Sequence, residues 1–270
     1  MKPPTRRPDV RRASVRVLVT NDDGIGSSGL HALVGAITDM GWTPVVAAPT
    51  SDWSGASAAL GPLQNPDRVA VDAVDLPGSA DVEAHAVEAP PALIVMLAML
   101  GGFGEPPELV VAGVNQGLNT GRSTLYSATV GAVLTAQKFG RPGLALSQVD
   151  GRRGDIAQRW SSATEVARPL LAWLVEAARP TVLNVNVPNL RLAEMAGIRQ
   201  AELAPIGGVR TTIVGRDEGG IHLDLVETDD ELPERSDTVL VRSGHVTVSA
   251  ITGPTVVGGV DLPLDEWWGH

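Results

Sequence analysis

At 270 residues, 43% hydrophobic and 19% charged, the chain has the make-up of one large globular domain or a domain with an appended subdomain. A formal net charge of −10 argues against binding a nucleic-acid polymer, and the lack of cysteine excludes disulfides, thiolate catalysis, zinc ribbons and iron–sulfur clusters from this chain. The longest apolar stretch, Ala92 to Leu100, is far short of the ~20 residues that a bilayer-spanning helix requires, so no membrane partner is expected.

Met1 to Ser14 carries Lys2, Arg6, Arg7, Arg11 and Arg12 and reads as a disordered basic tail. No apolar core resembling a secretory signal follows it, and a cytoplasmic location is expected on that ground. Strand and helix then alternate, which predicts a parallel sheet with crossover helices. Val15 to Thr20 is the first strand, Ser28 to Met40 a helix closed by Gly41, and Thr43 to Ala48 the second strand. Pro49 to Pro66 is a long loop, followed by short strands at Arg68 to Val74 and Val82 to Val87. A helix over Pro91 to Leu100 has proline in its first turn and Gly101-Gly102 at its end. Glu108 to Ala112 is a buried strand, Gly113 to Tyr126 a glycine-rich loop and Ser127 to Phe139 a helix. Pro142 to Ser147 reads as a strand, Ile156 to Ala178 as a helix with Trp160 and Trp173 in its apolar face, and Thr181 to Val187 as another strand.

The texture changes after residue 190. Short β-type runs follow at Ile198 to Leu203, Val209 to Val214, Ile221 to Val226, Val239 to Val241 and Val246 to Ile251. The division expected is a core over 15–190 and a β-rich extension over 191–270. Such an arm packs on the core or exchanges with a second subunit, which predicts a homodimer or homotetramer. Trp267-Trp268 is expected to anchor the end of the chain on a neighbouring surface.

Chemistry concentrates where strands hand over to loops. Thr20-Asn21-Asp22-Asp23-Gly24 places two adjacent carboxylates at the mouth of the first strand. Each disfavours ionisation of the other, so the pair calls for a cation, or else for a solvated turn of the kind Asn, Asp and Gly favour. Gly24, Gly26 and Gly29 fit G-x-G-x-x-G, the dinucleotide fingerprint. Two carboxylates would repel a pyrophosphate there, and the second strand ends in Ala47-Ala48-Pro49 without the acidic residue that holds a ribose. A dinucleotide enzyme is therefore the alternative reading. Ser54-Gly55-Ala56-Ser57 and Gly113 to Gly121 follow two other strands, and in a doubly wound sheet all three loops emerge at one crevice. Aspartate, serine and asparagine oxygens make a hard site suited to Mg²⁺, Mn²⁺ or Ca²⁺. The five histidines are scattered without ligand spacing, which disfavours zinc. Asn119, Ser123, Thr124 and Ser127 are donors near the next helix start, where an anion is favoured.

These residues resemble the SurE family of metal-dependent nucleotidases and phosphatases. The matching segments are VLVTNDDGIGSSGLHAL from Val17, VVAAPTSDWSGAS from Val45, ELVVAGVNQGLNTG from Glu108, YSATVGA from Tyr126 and LNVNVPNL from Leu183. The resemblance implies a Rossmann-like α/β core, mostly parallel, with a C-terminal β-rich oligomerisation arm. It also implies a phosphoric monoester hydrolase of 5'-nucleotidase or acid-phosphatase type, acting on nucleoside monophosphates with one divalent cation per subunit, Mg²⁺ or Mn²⁺. By position, Asp22, Asp23, Ser54 and Asn115 would hold the metal, while Asn119 and Ser127 would contact phosphate. The resemblance further implies Asp22 and Asp23 as the catalytic pair, with Asp22 the expected base and a purely ligating or nucleophilic aspartate as alternatives.

Gly55, Ser57 and Trp53 are assigned to the substrate side. Trp53 would stack on a nucleobase, pack on its own loop or pack at an oligomer interface. The chain departs from the family pattern at Arg122 and Ser123, where acidic residues are common, at Ala128 in place of glycine, and at Glu88 to Leu93, which includes Ala92. Those changes spare the expected ligands and bear on the substrate. A non-catalytic binder of nucleotide or metal is the third reading.

Overall fold

In the computed structural model, which describes residues 14–61, 63, 65, 67–154, 156–207, 209–227 and 231–256, the alternation read from the sequence becomes a nine-stranded sheet. The expected basic tail (Ser14 apart) and Trp267-Trp268 lie outside the described residues. The strands are β1 (Arg16–Thr20), β2 (Thr43–Pro49), β3 (Val71–Ala73), β4 (Glu83–Val87), β5 (Leu109–Gln116), β6 (Gly143–Gln148), β7 (Val182–Val187), β8 (Ile198–Gln200) and β11 (Val246–Ile251). Between β8 and β11 lie β9 (Val209–Asp217) and β10 (Gly220–Glu227), which among the described residues pair with each other alone, as an antiparallel hairpin. The helices are α1 (Ser28–Asp39), α2 (Pro91–Met99), α3 (Ala128–Lys138), α4 (Trp160–Glu176) and α5 (Asp237–Arg242).

The sheet order is β3-β4-β2-β1-β5-β6-β7-β11-β8. The six strands from β4 to β7 run parallel, with β3 antiparallel on one side and β11 antiparallel to β7 on the other. Strand order reverses at the β1/β5 boundary, and a doubly wound sheet opens its crevice there, outside the carboxyl ends of the strands.

Side-chain alternation explains why both faces are covered. Val17 and Val19 of β1 pack with Leu30, Leu33 and Ile37 of α1 and Leu171 of α4, while Leu18 faces Ile94 of α2 and Val133 of α3. Each fully buried aliphatic side chain contributes ~1.5–3 kcal/mol. Serine caps two of the helices that point at the crevice. Ser27 accepts from the Leu30 N–H at 3.3 Å at the start of α1, and Ser127 accepts from the Val130 N–H at 3.1 Å at the start of α3.

Four expectations are corrected. β5 continues past Ala112 to Gln116 through a register shift, with a cis Gly113-Val114 peptide inside it. Gly113 has φ +137°, and a Cβ there would lie 2.3 Å from the Leu146 carbonyl oxygen, so only glycine lets the strand carry on beside β6. α4 begins at Trp160, because the Arg159 N–H is bonded to Asn189 and the Ile156 N–H to Gly151. Trp173 is 53% exposed and lies outside the apolar face, whereas Trp160 packs against the core. Val239 to Val241 is helical within α5, since three apolar residues do not distinguish strand from helix.

Candidate active site

β1 ends in Thr20, and the next two residues, Asn21 and Asp22, are buried. The turn that follows is built by Asn21, whose amide Nδ2 donates to the Gly24 carbonyl at 2.9 Å and to Ser27 Oγ at 2.7 Å. Gly24 adopts φ +98°, and its close approach to Pro49 lets the Ile25 N–H reach the Pro49 carbonyl at 2.8 Å. Gly29 lies so close to β5 that a Cβ would meet the Val114 carbonyl oxygen at 2.2 Å. A tight turn and close helix–strand packing therefore account for Gly24 and Gly29 without a pyrophosphate.

Asp22 is only 4% exposed. Thr129, fully buried near the start of α3, donates its hydroxyl to Asp22 Oδ1 at 2.7 Å. Burial pushes the Asp22 carboxyl above its usual range; hydrogen bonds from Thr129 and from the backbone oppose the shift, and the charge of Asp52 adds to it. Asp23 is half-buried beside it. Anionic charge thus gathers at the end of β1, and Asp52 is a contributor that the motif did not single out.

The loop after β2 docks on this turn. The Trp53 N–H donates to the Asp22 carbonyl at 2.8 Å, and Asp52 accepts from the Ser54 N–H at 2.7 Å. Ser54 and Gly55 are exposed at the rim, while Trp53 and Ser57 are half-buried. Ser57 has φ +54°, and its N–H and hydroxyl bond the carbonyls of Tyr126 and Leu125 at 3.2 and 2.7 Å. Gly131 of α3 makes room for this loop, since a Cβ there would stand 2.2 Å from the Ser57 carbonyl oxygen.

The third loop leaves β5. Asn115 Nδ2 donates to the Gly117 carbonyl at 2.8 Å, which assigns its amide oxygen to the acceptor role that a cation needs. Asn119 is gripped from β7. Its N–H donates to Asn186 Oδ1 at 2.8 Å, and its carbonyl accepts from Asn184 and Asn186 at 2.8 and 2.9 Å. One amide hydrogen of Asn119 goes to Ser147 Oγ at 2.8 Å and the second remains for an anion. Ser127 caps α3 with its oxygen, so its hydroxyl hydrogen is also available at that helix start.

Several supporting residues escaped the sequence reading. Asn184 and Asn186 carried a usable signal, two asparagines at a period of two inside an apolar strand. Asp237 carried none. Buried at the start of α5, it accepts from the Gly121 N–H at 2.8 Å, the Ala204 N–H at 3.0 Å and the Thr238 N–H at 2.8 Å. Burial raises its carboxyl pKa against those three bonds.

The donor set fits a hard divalent cation, with two carboxylates, a serine hydroxyl and an oriented amide oxygen. Among the described residues no cluster of three or more His, Cys, Asp or Glu forms a metal centre, so a cation at Asp22 and Asp23 would need neutral oxygens to complete its shell. Arg122 and Ser123 lie in the short helical turn Gly121–Tyr126 before α3 and Ala128 is the first residue of that helix, with the Arg122 N–H bonded to the Ala204 carbonyl at 3.0 Å.

Comparison with known proteins gives a consistent result. The model of the family described as "Survival protein SurE" matches residues 17–207. A protein of Legionella pneumophila described as "5'-nucleotidase SurE" is 32% identical over 242 residues, 88% of this chain and 90% of its own. One from Aeromonas hydrophila with the same description is 32% identical over 243 residues, 88% of this chain and 92% of its own. The crystal structure of the Sure protein from Aquifex aeolicus is similar with a TM-score of 0.75 and 25% identity, covering 94% of this chain and 99% of that one.

Proposed function

Because this chain belongs to the SurE family, we propose that it is a divalent-metal-dependent phosphomonoesterase that converts nucleoside monophosphates to nucleoside and phosphate. The observation that carries the reading is Asp22, a buried carboxylate bonded to Thr129 and set beside Asp23 and the charge of Asp52. Such a concentration of anions, facing loops that offer neutral oxygens and a capped helix start, suits a cation with a phosphate against it.

In this reading Asp22, Asp23, Ser54 and Asn115 hold Mg²⁺ or Mn²⁺. When bound, the cation neutralises phosphoryl charge and lowers the pKa of water at the site. The chain's own residues do the rest. Asn119, clamped by Asn184 and Asn186, and Ser127 at the start of α3 donate to phosphate oxygens and hold the phosphorus in place. Asp22 takes the proton of the attacking water, and Thr129 keeps its carboxyl in register for that transfer. Gly55, Ser57 and Trp53, docked on the Asp22 turn, border the phosphate end of the substrate on the β2 side.

The enzyme is further assigned to the cytoplasm and to a homodimer or homotetramer. In support of the latter, the β9–β10 hairpin exposes Ile213, Val214, Ile221 and Leu223. Among the described residues, no helix is long and apolar enough to cross a membrane.

A panel of phosphomonoesters assayed after chelation and after metal restoration tests the activity. Phosphate release should vanish in EDTA, return with Mg²⁺ or Mn²⁺, and fall by more than about a hundredfold in Asp23→Asn, beyond the loss typical of a group that only supports a ligand. Undiminished turnover by thoroughly chelated enzyme would overturn the proposal.

A further inference from the structure

A cavity of about 760 Å³ opens at the carboxyl edge of the sheet where β5, β6 and β7 end. We propose that it receives the organic leaving group of the phosphomonoester, a nucleoside in the reading above, on which this assignment rests. Three observations support it.

The first is continuity with the phosphate site. Gly117, Thr120 and Ser123 line the cavity and belong to the loop that carries Asn115 and Asn119. Gly117 itself accepts the hydrogen bond that orients the Asn115 amide. A phosphate seated on Asn119 is therefore one loop away from this space.

The second is direction. On the opposite side of β1, the strand ends are knitted together by the Ile25 N–H to Pro49, Trp53 N–H to Asp22 and Thr50 N–H to Val87 bonds, at 2.8, 2.8 and 3.0 Å. A second cavity, about 490 Å³, is lined by Ala58 and Leu60 of the β2 loop and by Thr135, Gln137 and Lys138 near the far end of α3. Ser127, where that helix starts, is about 12 Å back along the helix axis at 1.5 Å per residue. The larger of these two spaces, on the β5–β7 side, is the one that adjoins the loop carrying Asn119.

The third is chemistry and size. Val149, Leu190 and Val241 give the cavity apolar walls, Gln116 presents an amide whose nitrogen is fixed on Asp150 at 2.9 Å, and Asp150 and Arg242 add one charge of each sign to the lining. Apolar walls with a few fixed polar groups suit an uncharged ring and sugar, and pockets for such ligands occupy roughly 300–1,000 Å³.

The test is Leu190→Trp, which fills the cavity without touching the expected metal or phosphate ligands. Turnover of nucleoside 5'-monophosphates and of p-nitrophenyl phosphate is compared in wild type and variant, along with inhibition of p-nitrophenyl phosphate turnover by adenosine, guanosine, cytidine and uridine. The kcat/KM for nucleotides should fall at least tenfold further than that for p-nitrophenyl phosphate, and the inhibition constant of the free nucleosides should rise at least tenfold. If Leu190→Trp fails to melt cooperatively, Val149→Phe closes the same space from the end of β6. An unmoved ratio with unmoved nucleoside inhibition would overturn the assignment, while nucleotide turnover by the wild type would leave the nucleotidase reading standing. Failure of the wild type to hydrolyse any of these esters with Mg²⁺ or Mn²⁺ would overturn both.

Discussion

Thr129 gives its hydroxyl hydrogen to Asp22 Oδ1, and if Asp22 holds the cation as proposed, this contact fixes how the carboxylate meets it. Thr129→Val keeps the volume and removes the donor, leaving a buried carboxylate oxygen short of a bond worth ~1–3 kcal/mol. Metal affinity measured by titration calorimetry, or kcat/KM with saturating Mn²⁺, should drop ~10- to 100-fold. A change below threefold in both would show that Asp22 is held by other means. Asp22 and Asp23 were legible in the sequence because two adjacent carboxylates at a strand end demand an explanation wherever they occur. Thr129 was not, since a threonine in a helix's first turn looks like any other and its partner is 107 residues away.

At the scale of elements, the β2 loop and α3 fit against each other through a missing side chain. Gly131 sits mid-helix, where glycine costs ~1 kcal/mol relative to alanine in propensity alone, yet an added methyl would meet the Ser57 carbonyl oxygen at 2.2 Å. Gly131→Ala should therefore destabilise the protein, by ~1–3 kcal/mol in urea unfolding, although propensity predicts the reverse sign. It should also raise KM by displacing the loop that bears Ser54. A stabilised variant would show that the loop is not packed there. The βα alternation, the parallel sheet and the handover points at β1 and β2 followed from apolar periodicity, glycines and prolines. The extension of β5 did not, because a register shift at Gly113 depends on the neighbouring strand rather than on its own residues. Nor did α5, a six-residue element too short to establish a period.

For the whole molecule, Asp237 joins the loop at Gly121, the segment at Ala204 and the start of α5. Its raised pKa means that the folded state binds this proton more tightly than the unfolded chain does, so its contribution to stability is fullest below ~4 and declines as pH rises through the folded value. The stability gap between wild type and Asp237→Asn, read from urea melts at a series of pH values, should narrow on going from ~4 to 7. A gap that widens would mean that the three N–H donors outweigh burial. Such long-range ties are what sequence reading cannot reach, as the Gly121 to Asp237 bond spans 116 residues. The family match stops at residue 207, yet β11, antiparallel to β7, completes this side of the sheet beyond it. Time of synthesis follows from that arrangement. A chain leaving the ribosome at ~5–20 residues per second has made Asn119 and its loop roughly 10 s before the carboxylate that locks the loop exists. Every residue expected to touch metal or phosphate is then already made, while the loop that carries Asn119 is fastened only after Asp237 and α5 have followed.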